Sequence, residues 1–406
     1  MKRIVILCDG TWNSPDMTHP TNVVRLARAL APEARDADGT PVAQVPIYLE
    51  GVGTGRRGVT RTTRLVDRVL GGTMGMGLLD TVAEAYRHLV FLHEPGDEVF
   101  VFGYSRGAFT ARSLVGLIRH AGLIERSEMH RLPEVSRRYA ARSRDPDEAR
   151  QAANALRRAE TGRRVSVDAR DRDRLRALAG GGGPDAARAA RALAATRDAV
   201  PMRIAFLGVW DTVGALGVPG WFTAAPLLNR RHQFHDTALS ELVLSARHAV
   251  ALDERRRSFA PTLWSNLHIR NGARVGTPYR EWWFAGDHGA VGGGGEITAL
   301  SALALLWLME GAEAAGLRFA PGACEAIAAE ADPFGPLRNS AAPAGGPVAA
   351  MMRRFGRDRA GPAVVEGLHP SVRRRWARAG DPPDWPYRPG SLARLRAALD
   401  APEGGG

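Results

Sequence analysis

The sequence predicts an α/β protein: a mostly parallel sheet flanked by helices, with a helical insertion. Three observations carry that expectation. Residues 3–8, 98–103 and 203–209 are short, continuously apolar runs, the signature of strands buried on both faces rather than one. Between the first two, Leu79, Val82, Ala83, Tyr86, Leu89 and Val90 recur at helical spacing over residues 78–93. Strand, helix, strand in that order is how a parallel sheet is wound.

The composition fits a packed core. The 406 residues are 45% hydrophobic and 24% charged, which excludes a disordered chain. Cys8 and Cys324 are the only cysteines, too few for a disulfide framework or a cysteine-built zinc site. The N-terminus offers only residues 4–9 before polar Gly10 and Thr11, so it lacks the apolar run of a signal peptide. The longest apolar stretch, residues 297–309, falls short of the roughly 20 residues a membrane span requires and is expected to be a buried helix. The expectation is therefore a cytoplasmic chain, with export by a dedicated secretion system left open.

A single domain over residues 1–406 is expected, with two departures. Residues 125–200 alternate Arg and acids with Ala, broken by glycines at 180–183, and read as solvated helices inserted into the fold. Residues 331–406 gain Pro, Gly and Arg and lose periodicity, and read as an irregular C-terminal extension. The net charge of +12 concentrates in these parts: residues 121–200 hold 18 Arg against 12 acids, and residues 351–406 hold 11 against 6. Such a field attracts anionic surfaces, a membrane among them. No specific nucleic-acid partner is expected, because Tyr139 is the only aromatic residue between 125 and 200.

The strongest chemical signal is Gly103-Tyr104-Ser105-Arg106-Gly107. Here G-x-S-x-G stands between a buried strand and a helix-compatible run to His120, the context of a nucleophile elbow and hence of an α/β-hydrolase-like fold. Side chains at 103 and 107 are expected to collide with the neighbouring strand and helix. Ser105 would project above the sheet, with the Arg106 N–H at the helix start helping to bind an oxyanion.

A serine nucleophile requires a histidine base oriented by a carboxylate, in the chain order Ser, Asp or Glu, His. Two acids compete. Asp211 directly follows the strand 203–209, at the sheet edge where Ser105 emerges; Asp253 lies on a charged, helix-like stretch, 248–255, and is more simply a salt-bridge partner. Asp211 is favoured. Among 11 histidines, His288 follows the strand-like run 282–285 and precedes a glycine-rich turn, the placement such a base needs. Asp287 is its neighbour, but adjacent residues of an extended segment face opposite ways.

A second oxyanion donor is expected from the loop after the first strand, Asp9-Gly10-Thr11, through the Gly10 and Thr11 N–H groups. Asp9 would brace that loop or meet a substrate hydroxyl; the plain alternative is an Asp-Gly turn. An aspartyl-phosphatase reading falls, because its nucleophile would stand at position 7, where this chain has Leu7. A metal site from Asp9, Asp211 and Asp287 is conceivable, but the spacing is not diagnostic, and neither metal nor cofactor is expected. Residues 216–228, with Pro219, Trp221, Phe222 and Pro226, would line an acyl pocket, form a lid or simply pack in the core.

Together these segments make the chain resemble the catalytic-domain family of type VI secretion phospholipase effectors. The matching stretches are CDGTWN (8–13), YLEGVGT (48–54), FGYSRGAFTAR (102–112), LGVWDTVGALG (207–217), FHDTALSELVLSARHAVALDERRRSF (234–259), WWFAGDHGAVGGG (282–294), LHPSVRRR (368–375) and YRPG (387–390). The resemblance implies an α/β-hydrolase fold, lipid ester hydrolysis, and a triad falling on Ser105, Asp211 and His288. The family commonly has an acidic or amide residue two positions after that histidine, where this chain has Ala290. The expected activity is thus that of a serine esterase of phospholipase type. The rival is a binding module on a hydrolase scaffold that docks through its basic insertion.

Overall fold

The computed structural model describes residues 1–51 apart from 12 and 37, 74–143, isolated positions between 148 and 190, 202–214, 237–272, 276–340, 356–378 and 386–401. Seven strands form one sheet: β1 (Lys2–Cys8), β2 (Glu33–Arg35), β3 (Pro41–Leu49), β4 (Glu98–Tyr104), β5 (Ile204–Trp210), β6 (Val243–Ala251) and β7 (Tyr279–Phe284). Their order is β2-β3-β1-β4-β5-β6-β7, parallel except for the antiparallel edge strand β2. The α/β-hydrolase-like expectation holds.

Helices cover both faces: α1 (Asn22–Ala29), α2 (Met74–Leu92), α3 (Arg106–Ala121), α4 (Leu132–Ala140), α5 (Leu267–Gly272), α6 (His288–Gly292), α7 (Ala299–Ala314), α8 (Ala323–Glu330), α9 (Pro370–Ala377) and α10 (Arg396–Asp400). The continuous apolar runs are continuous because alternate residues enter two cores. Ile4 and Ile6 of β1 and Val99 and Val101 of β4 pack with α2 and α3, whereas Val5, Leu7, Phe100 and Phe102 pack with α1 and α7. The apolar run at 297–309 is α7, buried along most of its length. Among the described residues no helix is long and apolar enough to cross a membrane.

One expectation needs revision in detail, and one strand lies outside the expectations. The stretch 248–255 is not helical: it is the end of β6 and the turn beyond, bonded between β5 and β7. Its alanines and charges suit a helix locally, but ladder partners on both sides decide. Strand β3 escapes sequence reading because Pro41 and Pro46 argue against a strand. Pro41 is its first residue, and Pro46 lies past the end of β2, whose pairing stops at Ala43.

Of the expected insertion, α4 is described and joins the core through Leu132, Val135 and Tyr139; residues 149–175 and 191–201 lie outside the described residues, as does the apolar segment 216–228. In the expected extension, Leu368, then Val372 and Trp376 of α9, with Tyr387, Leu392 and Leu395, pack against Val250, Trp283 and Ala285, making a third core cluster at the β7 edge.

Because β3 and β4 lie on opposite sides of β1, the strand order reverses there, and the crevice outside the carboxyl ends of β1 and β4 is where such sheets bind ligands. The register aligns those ends: Cys8 pairs with Gly103, Tyr104 with Trp210, Trp210 with Ala249 and Ala251 with Phe284.

Candidate active site

Each sequence-predicted residue emerges from a strand end. Ser105 follows β4 with φ 59° and ψ −121°, and Asp211 follows β5 with φ 40°. They are the only non-glycine residues with positive φ among the described residues, and such strain concentrates at functional sites. The Ser105 N–H donates to the Trp210 carbonyl (3.0 Å) and the Asp211 N–H to the Ala249 carbonyl (2.7 Å), tying both turns to the adjoining strand.

The elbow is tight for the expected reason. A Cβ on Gly103 would stand 2.4 Å from the Gly107 carbonyl oxygen, and one on Gly107 would stand 2.2 Å from that of Cys8. These neighbours are backbone and cannot swing aside.

His288, the first residue of α6, joins the other two. Its Nε2 lies 2.8 Å from Ser105 Oγ and its Nδ1 lies 2.6 Å from Asp211 Oδ2. An ionised carboxylate only accepts, so Nδ1 carries the proton and Nε2 accepts from the serine hydroxyl. The ring is walled by Tyr104, stacked at 4.8 Å, and by Phe259, edge-on at 4.8 Å. The Tyr104 hydroxyl donates to the His288 carbonyl (3.2 Å), and Glu254 Oε2 accepts from the His288 N–H (3.4 Å).

Asp211 is fully buried. Besides His288 it accepts from the Ala251 N–H (2.9 Å) and from both terminal nitrogens of Arg359, at 2.6 and 3.0 Å. Burial alone would raise its carboxyl, but the Arg359 guanidinium and His288 outweigh that and hold it well below the usual carboxylate range. Asp253, the competing acid, bonds instead to the Gly286 N–H (2.6 Å) and the Tyr387 hydroxyl (2.8 Å), and burial lifts its carboxyl to about 6. Asp287 caps α6 by accepting from the Ala290 N–H (2.9 Å). Ala290 itself is buried in the third apolar cluster, surroundings that suit a methyl group and not an acid or amide.

In the β1–α1 loop, Asp9 braces. It accepts from the Gly10 N–H (2.6 Å), Thr21 Oγ1 (2.7 Å), Tyr48 Oη (2.7 Å) and, more weakly, Asn13 Nδ2 (3.4 Å). Burial nevertheless pushes its carboxyl up. The Gly10 N–H is therefore engaged by Asp9, contrary to the expectation that it serves an oxyanion. A Cβ on Gly10 would lie 3.3 Å from that of Ser105, so the loop abuts the elbow. Thr11 Oγ1 is buried with no partner among the described residues. Arg106, at the start of α3, is held by burial at about 10. Asp9, Asp211 and Asp287 thus serve three separate networks, and no metal-type cluster of three forms among the described residues.

A family model described as the catalytic domain of Tle1-like phospholipase effectors of the type VI secretion system matches residues 2–311. The chain belongs to this family. Membership supports a hydrolase-type enzymatic function. A protein of Saccharomyces cerevisiae described as uncharacterised is 26% identical over 264 residues, 64% of this chain and 32% of the yeast protein. Among solved structures, an uncharacterised protein from Pseudomonas aeruginosa shares 18% identity at TM-score 0.38, covering 87% of this chain and 52% of that one. The structure titled as the Tle1 effector bound to the VgrG spike shares 17% at TM-score 0.34, covering 74% and 52%. The chain spans about a third of the yeast relative and about half of each solved chain.

The Tle1-like match ends at residue 311, yet the extension beyond it reaches the site. His369 caps α9 and stacks on Phe284 at 4.3 Å, and Tyr387 holds Asp253. Arg359 carries no pattern that sequence reading uses, and Tyr387, although it opens the YRPG stretch, shows no role there, since their partners lie 148 and 134 residues away.

Proposed function

We propose that this Tle1-like domain is a serine hydrolase that cleaves carboxylic esters of lipids by a Ser105-His288-Asp211 triad, as a phospholipase. The observation that carries the reading is the unbroken hydrogen-bond chain from Ser105 Oγ through His288 to Asp211, on an elbow strained at the serine. Ser105 Oγ attacks the ester carbonyl while His288 Nε2 takes its proton, and Asp211 holds the imidazole in the tautomer that leaves Nε2 open. The tetrahedral oxyanion is met by the Arg106 N–H and by the Thr11 hydroxyl, in place of the Gly10 N–H that Asp9 engages. His288 returns the proton to the departing alcohol, and water then releases the acyl group by the same route. Lipid as the substrate class comes from the family's description.

Labelling with a fluorophosphonate, together with phospholipid hydrolysis, tests it. Wild type should label and turn over; Ser105→Ala and His288→Ala should do neither. Folded wild type that neither labels nor hydrolyses any phospholipid overturns the proposal.

A further inference from the structure

We infer that Arg359, contributed by the C-terminal extension beyond the matched catalytic domain, is a positioning residue that fixes the rotation of the Asp211 carboxylate so that Oδ2 faces His288 Nδ1. The inference rests on reading Ser105, His288 and Asp211 as the triad.

The geometry is that of a fork. One terminal nitrogen of Arg359 donates to Asp211 Oδ1 (2.6 Å) and to the Ala251 carbonyl (2.7 Å); the other donates to Asp211 Oδ2 (3.0 Å) and to the Phe259 carbonyl (2.5 Å). Each carboxylate oxygen thus receives one guanidinium bond and one further bond, from the Ala251 N–H on Oδ1 and from His288 on Oδ2. Rotating the carboxylate breaks all of these bonds together, so a single orientation survives. The same guanidinium holds the end of β6 and the backbone of Phe259, whose ring walls the imidazole. Arg359 is anchored in turn, because the neighbouring Arg357 N–H donates to the Arg255 carbonyl (2.9 Å).

A buried ion pair that merely neutralises a carboxylate is the plainer account, and charge separates the two. Among the described residues the other charged groups around His288 are Glu254, paired with Arg256, and Asp287, capping α6. Arg359 is the cation bonded directly to the acid. When His288 takes the serine proton, the imidazolium faces an aspartate already paired with a cation. Removing that cation favours the imidazolium while letting the carboxylate turn. Turnover should therefore fall while the rising limb of its pH profile moves to higher pH.

The test measures hydrolysis of a soluble p-nitrophenyl ester from pH 5 to 10, with thermal melting, on the full-length chain. Arg359→Gln should lower kcat by about 10²-fold through misplacement of the acid and move the rising limb of kcat/KM up by about half to one pH unit. Arg359→Lys keeps the charge and loses the fork, so its limb should stay in place while kcat falls several-fold. Arg359→Gln at the wild-type rate, or slowed with an unmoved limb, overturns the inference. Should Arg359→Gln fail to fold, Arg359→Lys decides: an undiminished kcat overturns it, and a reduced kcat at an unmoved limb and unchanged melting temperature supports it. Ser105→Ala separates the two levels. If Ser105→Ala retains turnover the triad reading itself fails, whereas an inactive Ser105→Ala beside an unaffected Arg359→Gln removes only the role of Arg359.

Discussion

Replacing Asp211 by asparagine changes one atom at the centre of the site, and the structure says what that atom meets. All four groups around the carboxylate are donors: the Ala251 N–H, His288 Nδ1 and two nitrogens of Arg359. An amide NH2 placed at the Oδ2 position faces His288 and Arg359; placed at the Oδ1 position it faces Ala251 and Arg359. Either flip sets a donor against donors. Relief is available on the catalytic side, where the imidazole can shift its proton to Nε2 and accept from the amide at Nδ1. That tautomer can no longer take the Ser105 proton. The expected loss in kcat is about 10⁴-fold, equivalent to about 5 kcal/mol of barrier. The same change leaves Arg359 without its counter-charge in a buried place, which costs about 3–5 kcal/mol of stability. Both are measurable in one preparation: ester turnover normalised to the fraction folded by circular dichroism, and the melting temperature. Asp253→Asn is the control, since Asp253 touches the Gly286 N–H and the Tyr387 hydroxyl and not His288. Asp211→Asn within tenfold of wild type, or Asp253→Asn as inactive as Asp211→Asn, would refute the reasoning.

Two further outcomes are expected. Thr11→Val removes a buried hydroxyl that has no partner among the described residues; on the proposed reading, in which that hydroxyl is the second oxyanion donor, the change should lower kcat about 10²-fold with KM unchanged, and an equal loss in kcat/KM through KM alone would reassign it to binding. Asp253, raised to about 6 by burial, stays protonated in the folded chain at pH values where the unfolded chain has released the proton. Its contribution to stability is therefore full below about pH 4 and is lost as pH rises through about 6. The melting temperature of Asp253→Asn relative to wild type should accordingly climb between pH 4 and pH 7, and a flat difference would show that the carboxyl is not perturbed.

What the sequence discloses and what it hides divide along a physical line. Ser105, Asp211 and His288 are legible because each is tied to a local pattern, a buried strand that ends in a turn, and chain order does the rest. The elbow glycines are legible because a backbone collision is a local fact. Asp9 is half legible: its place after β1 is visible, but its Oδ2 bonds to Thr21 and Tyr48 decide that it braces the loop, and its Oδ1 separately engages the Gly10 N–H. Glu254 and Phe259 fall in a stretch that carries the family resemblance, but their roles are not legible, and Arg359 is not legible at all. Their roles come from one loop after β6 being clasped by a segment about 100 residues further along, and no periodicity marks a side chain whose partner is that distant.

The same clasp changes what the basic charge of the extension means. Residues 351–406 carry 11 arginines against 6 acids, which suggests a cationic appendage that could be cut away to test attraction to anionic membranes. Arg359 is instead buried on Asp211, and Arg375 is buried with the Pro333 and Gly335 carbonyls as acceptors, at 2.9 and 2.6 Å. Deleting the segment would dismantle the site and the third core cluster, so a loss of activity would say nothing about membranes. Point changes separate the two. Arg374, Arg394 and Arg396 are exposed; each arginine that reaches an anionic surface contributes about 1 kcal/mol. Changing all three to glutamine should weaken sedimentation with phosphatidylglycerol vesicles by about tenfold or more at low salt, an effect that 0.5 M salt should erase, while turnover of a soluble ester stays at the wild-type rate. Unchanged vesicle binding would mean that the extension's arginines serve the fold and the site, and that any attraction to membranes arises elsewhere on the chain.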